Sequence, residues 1–203
     1  MEVRDRLVAE DGRCKASDSC DRQANEYYRL YHFLNDVEEI LKKEPDDRRR
    51  LEFICFLVRR LLMSSYWLQS AARQPDPNTG WSVLKLYDEP SFPFSVQNSV
   101  WLPGQISPIH NHATWGVVAL ISGQEKNTFW QRLPNSTIDR GVEKIGEQIL
   151  NRGDIIGFLP DTIHSIEVLG DEPAISFNIY GAATGEIIYF NAVNTCDIKC
   201  DRL

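Results

Sequence analysis

The sequence predicts a mainly β protein, a small β-barrel preceded by an N-terminal helical cap. Two patterns and the break between them carry that expectation. Between Asn25 and Ala72, apolar residues recur at three- and four-residue intervals, the period of a helix with one buried side. From Trp81 onward, short segments rich in Val, Ile, Phe, Trp and Tyr alternate with Gly, Pro and Asn, the rhythm of many short strands. Residues 74–80 (QPDPNTG) form a turn cluster that divides the two regions.

Residues 1–24 are polar and carry no sustained period, so they read as a flexible leader. A first helix follows, with Tyr27, Leu30, Tyr31, Leu34, Val37, Ile40 and Leu41 along one side. His32 lies in it without a ligand-type partner at useful spacing and reads as packing or surface. Pro45 interrupts, and Asp46 and Asp47 then supply the acidic first turn that favours a helix N-terminus. A second helix is expected from there to about Ala72, burying Leu51, Ile54, Leu57, Val58, Leu61 and Leu62. Strands are expected at 81–87, 94–102, 115–122, 127–132, 154–159, 164–169, 174–180 and 186–191. The organisation is thus a helical cap over 25–73, a barrel over 81–192 and a tail over 193–203, with 25–203 forming one domain.

Hydrophobic residues make up 42% of the chain and charged ones 25%, ordinary for a soluble globular protein. The net charge of −7, with no basic run interleaved with aromatics, argues against nucleic acid or an anionic membrane as partner. The longest apolar stretch, 51–62, is broken by Glu52, Arg59 and Arg60 and is too short to span a bilayer. The first residues lack the apolar core of a signal peptide, so a cytoplasmic location is expected. Five cysteines, an odd count, suit a reducing compartment better than a disulfide framework. Cys14, Cys20, Cys196 and Cys200 could form a four-thiolate zinc site. Their spacings are not the two-residue knuckle, however, and incidental thiols are the better expectation. Cys55 sits in an apolar helical run and reads as core.

The residues that carry chemistry are histidines. The chain has four, and three lie in the β region. His110 and His112 are one residue apart, so on a strand both side chains face the same way. His164 opens a distant strand after the turn at 159–163. In a closed barrel these three can converge on the interior and hold one metal ion. Imidazole ligands suit Fe, Zn, Cu or Ni alike.

Gly104, His110, His112 and Gly123, then Gly153, Pro160 and His164, resemble the two signature motifs of the cupin superfamily. The first motif, Gly-x5-His-x-His followed by a glycine, matches well. The second lacks its internal glycine, and the interval from Pro160 to His164 is one residue short. The resemblance implies a jelly-roll barrel with a metal in its mouth. The usual cupin set adds a glutamate a few residues after the second histidine, but here those positions read Ala113, Thr114, Trp115, Gly116 and Val117. Three neutral imidazoles on a divalent ion leave a net charge of +2, suited to an anionic substrate beside O2.

The stretch 101–117 (WLPGQISPIHNHATWGV) is similar to the metal-binding strand of the cysteine dioxygenase family, especially bacterial members acting on cysteine or 3-mercaptopropionate. That resemblance, over roughly 81–191, implies N-terminal helices before the barrel and a three-histidine Fe(II) site. It also implies oxidation of a thiol sulfur by O2 to a sulfinate. The family's Ser-x-His-x-Tyr relay corresponds to Ser176, Asn178 and Tyr180, with Asn178 in place of the histidine. Asn can hydrogen-bond but cannot titrate near neutral pH. Gly116 stands where mammalian enzymes carry a cysteine crosslinked to this tyrosine, so no such crosslink forms. The family's carboxylate anchors fall on Val83 and about Tyr189, neither of which can pair with a carboxylate. Lys85, two residues along the same strand, could substitute as a point charge. Gln105 and Trp115 are expected to line the pocket, with core packing the alternative for Trp115.

The expectation is therefore an Fe(II)-dependent oxidoreductase acting on a small thiol and O2. The alternatives are a three-histidine cupin with another small-molecule activity (carbon–carbon dioxygenase, isomerase or lyase) and a non-catalytic ligand-binding barrel.

Overall fold

The computed structural model describes residues 5–8, 11–16, 27–133, 138–182 and 185–193. Three helices, α1 (Leu30–Lys43), α2 (Asp47–Ser64) and α3 (Tyr66–Ser70), precede the main β region. The strands are β1 (Asp5–Val8), β2 (Cys14–Ala16), β3 (Trp81–Tyr87), β4 (Phe94–Trp101), β5 (Ile109–His110) and β6 (Gly116–Ser122). They continue as β7 (Gln124–Arg132), β8 (Gly141–Asn151), β9 (Ile155–Phe158), β10 (Ile163–Leu169), β11 (Ala174–Gly181) and β12 (Tyr189–Ala192). One sheet runs β2-β1-β9-β6-β11-β4-β3, and β10-β5-β12-β8-β7 closes on itself as a barrel. The protein is mainly β with helices ahead of the barrel, the fold class read from the sequence.

The helical cap covers one face of the larger sheet. Phe33 and Val37 of α1, and Leu51, Ile54, Val58 and Leu61 of α2, share a core with Val117, Ala119, Phe177 and Ile179. The opposite face closes on a second core containing Val118, Leu120, Phe129, Ile156 and Phe158. Strand β6 (GVVALIS) is apolar throughout because both its faces are covered. Strand β11 divides its residues differently. Phe177 and Ile179 pack toward the helices, while Ser176, Asn178 and Tyr180 alternate to the opposite, cavity-lining face.

Three departures from the sequence expectations have physical causes. The expected leader contains β1 and β2, and β1 pairs in parallel with β9 in the register Arg6–Ile156. A short strand shows too few residues to reveal a period, and the pairing that holds it comes from a remote edge. The second helix stops at Ser64, with Ser65 as its cap, and a separate short helix, α3, follows in place of a continuous run to Ala72. At Ser65 the backbone turns to φ −128, ψ 70, and Ser65 Oγ donates to Tyr28 O at 3.0 Å. Strand β8 was not expected, because its polar residues come in adjacent pairs (Glu143 and Lys144, Glu147 and Gln148) and break the two-residue period that marks a strand.

Cys55 is buried as expected, and burial pushes its thiol up to about 12. Cys14 is half-buried, whereas Cys20, Cys196 and Cys200 lie outside the described residues, as do 194–203 of the expected tail. His32 accepts from Arg29 N at 3.4 Å and packs on Tyr31, a helix-start role. No helix among the described residues is long and apolar enough to cross a membrane.

Candidate metal centre

Three separate pieces of chain bring the histidines together. His110 ends β5, which pairs His110 with His164 on one side and with Tyr189 of β12 on the other. The loop before β5 is fastened to β10 by Gly104 N on Val168 O (3.1 Å), Val168 N on Gln105 O (3.0 Å) and Ile166 N on Ser107 Oγ (2.9 Å). His112 lies past the end of β5, so the strand expected to carry both histidines is only two residues long. Their alternation survives because Asn111 between them is turned the other way. Its Oδ1 accepts from Ile188 N at 3.0 Å, and its own N–H donates to Ile188 O. Ala113 then reverses the chain at φ 53.

The three imidazoles each offer a nitrogen, all within 4.8 Å of one another. His112 Nε2 and His164 Nε2 are 2.8 Å apart. Two of the outer nitrogens are tied back. His110 Nδ1–H donates to Pro108 O at 2.9 Å, and His164 Nδ1–H donates to Asn127 Oδ1 at 3.2 Å. Each such bond fixes the ring and leaves the Nε2 lone pair for a metal. Burial holds all three rings below the ordinary histidine range, His112 at about 3, with the neighbouring imidazoles adding to the effect on His112 and His164. Neutral imidazoles are the form that ligates. The group could hold a metal ion.

The cavity around them has a volume of about 690 Å³. Val83, Gln97, Ser99 and Gln105 line it with Glu125, Asn127, Phe158, Ile166, Ser176, Asn178 and Tyr180. Tyr180 lies on His112 with ring centroids 4.7 Å apart and planes at 26°. Burial and the charge of Glu125 both raise its phenol above the ordinary tyrosine range.

Some expected site residues stand elsewhere. Trp115 is 6% exposed and packs into the helix-side core, not the cavity. Lys85 pairs with Asp88 at the surface and does not line the cavity, because a charged head on the edge strand β3 reaches water more cheaply than the interior. Val83 and Gln105 do line it, and Tyr189, 56% exposed, sits at its rim. Ser176 and Asn178 are buried but bond across to β4. Ser176 Oγ meets Ser99 Oγ at 2.8 Å, and Asn178 Nδ2 donates to Ser99 Oγ at 3.0 Å. Among the described residues neither is hydrogen-bonded to Tyr180, so the three do not form a chain of hydrogen bonds.

Two residues of the site escaped the sequence. Glu125, 3% exposed, accepts from Asn127 Nδ2 at 2.8 Å, and Asn127 in turn holds His164. Both belong to β7, which begins at Gln124 and not at Asn127 as the apolar pattern implied. Their only sequence signal is spacing, since two residues apart on a strand places them on one face.

No family model matches the chain. Similar solved structures include an oxalate oxidase in complex with the substrate analogue glycolate, at 14% identity and TM-score 0.47 over 59% of this chain and 60% of that one. The chain thus spans about three fifths of that relative's length. A cupin-like protein from Thermotoga maritima matches at 16% identity and TM-score 0.42, over 62% of this chain and 90% of that one. The Cupin_2 domain of an XRE family transcriptional regulator from Enterobacter cloacae matches at 15% and 0.39, over 51% and 97%. Likeness at this level leaves the chemistry of the site to its own residues.

Proposed function

We propose that this protein is a cupin-type, non-heme Fe(II)-dependent dioxygenase that oxidises the sulfur of a small thiol to a sulfinate with O2. The observation that carries it is the convergence of His110, His112 and His164 as an all-imidazole group with no carboxylate in it. Fit to a divalent ion rests on that donor set, with neutral rings and outer nitrogens tied to Pro108 O and Asn127 Oδ1. Held by these three imidazoles, ferrous iron would supply the redox chemistry that joins a thiol to O2.

The chain's own residues do the rest. Tyr180, held protonated, presents a neutral O–H donor to the cavity from its place on His112. Phe158, Val118 and Ile166 exclude water from the cavity wall. Ser176 and Asn178 fix the β11 backbone against Ser99 and hold the strand that carries Tyr180. The motif at 101–117 supports the thiol chemistry by resemblance.

A three-histidine cupin acting without thiol oxidation is the second reading. It is favoured by Asn178 where a titrating group is expected and by the lack of any Lys or Arg among the described residues of the cavity wall. Anaerobic loading with Fe(II), a panel of small thiols, and then oxygen uptake with sulfinate detection decides between them. Stoichiometric O2 consumption and sulfinate are expected with at least one thiol. No uptake with any thiol would turn the assignment to the second reading.

A further inference from the structure

Among the described residues, Glu125 is a buried carboxylate without a cationic partner. Its Oε1 accepts one hydrogen bond, from Asn127 Nδ2 at 2.8 Å, and the residue is 3% exposed. Buried carboxylates are ordinarily paired with a cation or met by several N–H donors. Here the neighbouring Lys126 turns to the other face of β7 and pairs with Glu167. Among the described residues the lining contains no Lys or Arg, and besides Glu125 its side chains are apolar, aromatic, neutral polar or imidazole. Burial pushes the carboxyl up to about 7, with no positive group among the described residues acting on it. Its charge is felt by Tyr180, which places it within reach of the same cavity as the histidines.

We propose that Glu125 is a specificity-determining residue that receives a cationic nitrogen head, an ammonium or guanidinium group, of the molecule that enters this cavity. The geometry separates two jobs. Oε1 is held by Asn127, and the other oxygen is left to the ligand. Anions fare differently, because a ligand carboxylate on this wall would meet the Glu125 carboxyl and, among the described residues that line it, no Lys or Arg. Applied to the thiol chemistry proposed above, on which this extension rests, the substrate is an aminothiol without a carboxylate. That also accounts for Val83 on the cavity wall and for Lys85 turned to the surface.

Ethylguanidinium and ethylurea test the charge alone, since they share a shape, and the guanidinium neither deprotonates nor ligates a metal. Their binding to the full chain loaded anaerobically with Fe(II) is followed by calorimetry or ligand-observed NMR. Ethylguanidinium is expected to bind about tenfold more tightly than ethylurea, as for a charge-assisted hydrogen bond. Glu125→Gln keeps the acceptor for Asn127 and removes the charge, so the preference is expected to vanish. Val83→Lys, on an edge strand, brings a rival cation to the cavity and is expected to abolish the preference without touching Glu125. Equal binding of the two probes by the wild type, or a preference that survives both substitutions, would overturn the proposal. Preference for the cation with no thiol consumed would sink the thiol chemistry and leave the role of Glu125 standing. Thiol oxidation with no cation preference would do the reverse.

Discussion

Tyr180 lies against His112, ring centroids 4.7 Å apart, because the residue opposite it on β6 is Gly116. A Cβ on Gly116 would stand 2.8 Å from Tyr180 Cδ1 and 2.9 Å from Cε1, closer than such atoms approach. The glycine therefore sets where the phenol can be, and the phenol in turn walls one side of the histidine cluster.

Gly116→Ala should displace the Tyr180 ring while leaving the three histidines in place. Misplacement on the ångström scale at a reacting centre costs on the order of 100-fold in rate. We expect wild-type metal content with kcat reduced about 10- to 100-fold. Metal analysis alongside oxygen uptake checks both halves, and unchanged turnover would show that the position of Tyr180 does not matter.

Asn127 links the cluster to Glu125 through bonds of 3.2 Å and 2.8 Å. Asn127→Ala frees the His164 ring and leaves Glu125 without its donor. Removing such an outer partner typically lowers metal affinity about 10- to 100-fold. Competition with a chelator of known affinity measures this directly.

The histidines and the N-terminal strands show how differently structure is written in a sequence. His110, His112 and His164 were legible because few residue types ligate metals, and their spacing imposes a shared face on extended chain. Strands β6 and β11 were legible because burial on one or both faces demands apolar residues at fixed positions. Glu125 was not, since a glutamate on a strand reads as solvated unless its neighbours in space are known. Asn127 was read only as the start of a strand, for the same reason. Trp115 misled because an aromatic beside a ligand serves a core as well as a pocket. The pairing of β1 with β9, 150 residues apart in register from Asp5 to Ile155, left no local trace at all.

Glu125 makes metal-stripped protein sensitive to pH in a particular direction. Its folded pKa is raised to about 7 from 4.5, so between those values the folded state holds the proton more tightly than the unfolded chain. Its contribution to stability is therefore greatest below about 4.5 and is lost as pH rises through 7. Glu125→Gln removes that loss. The variant should melt higher than wild type at pH 8, by an amount equivalent to on the order of 3 kcal/mol, with the gap closing toward pH 4.5. Melting curves of the chelator-treated pair at the two pH values test it.

The three imidazoles act in the opposite sense. Their folded pKa values are depressed, His112 to about 3, while the unfolded rings titrate near 6.5. Stability from keeping them neutral is fully present above 6.5 and is lost as pH falls toward the folded values. Proton competition for the ligand nitrogens is thus weak near neutrality. Affinity for Zn(II), a redox-inert probe, should change less than about threefold between pH 8 and pH 6.5, measured by chelator competition.

The most direct test of the three-histidine centre is metal stoichiometry across single substitutions. Anaerobic titration with Fe(II), read by elemental analysis after desalting, should give one ion per wild-type chain. His110→Ala, His112→Ala and His164→Ala should each abolish retention while His32→Ala keeps it. Full retention in any of the three ligand variants, or none in the wild type, would contradict a single iron held by His110, His112 and His164.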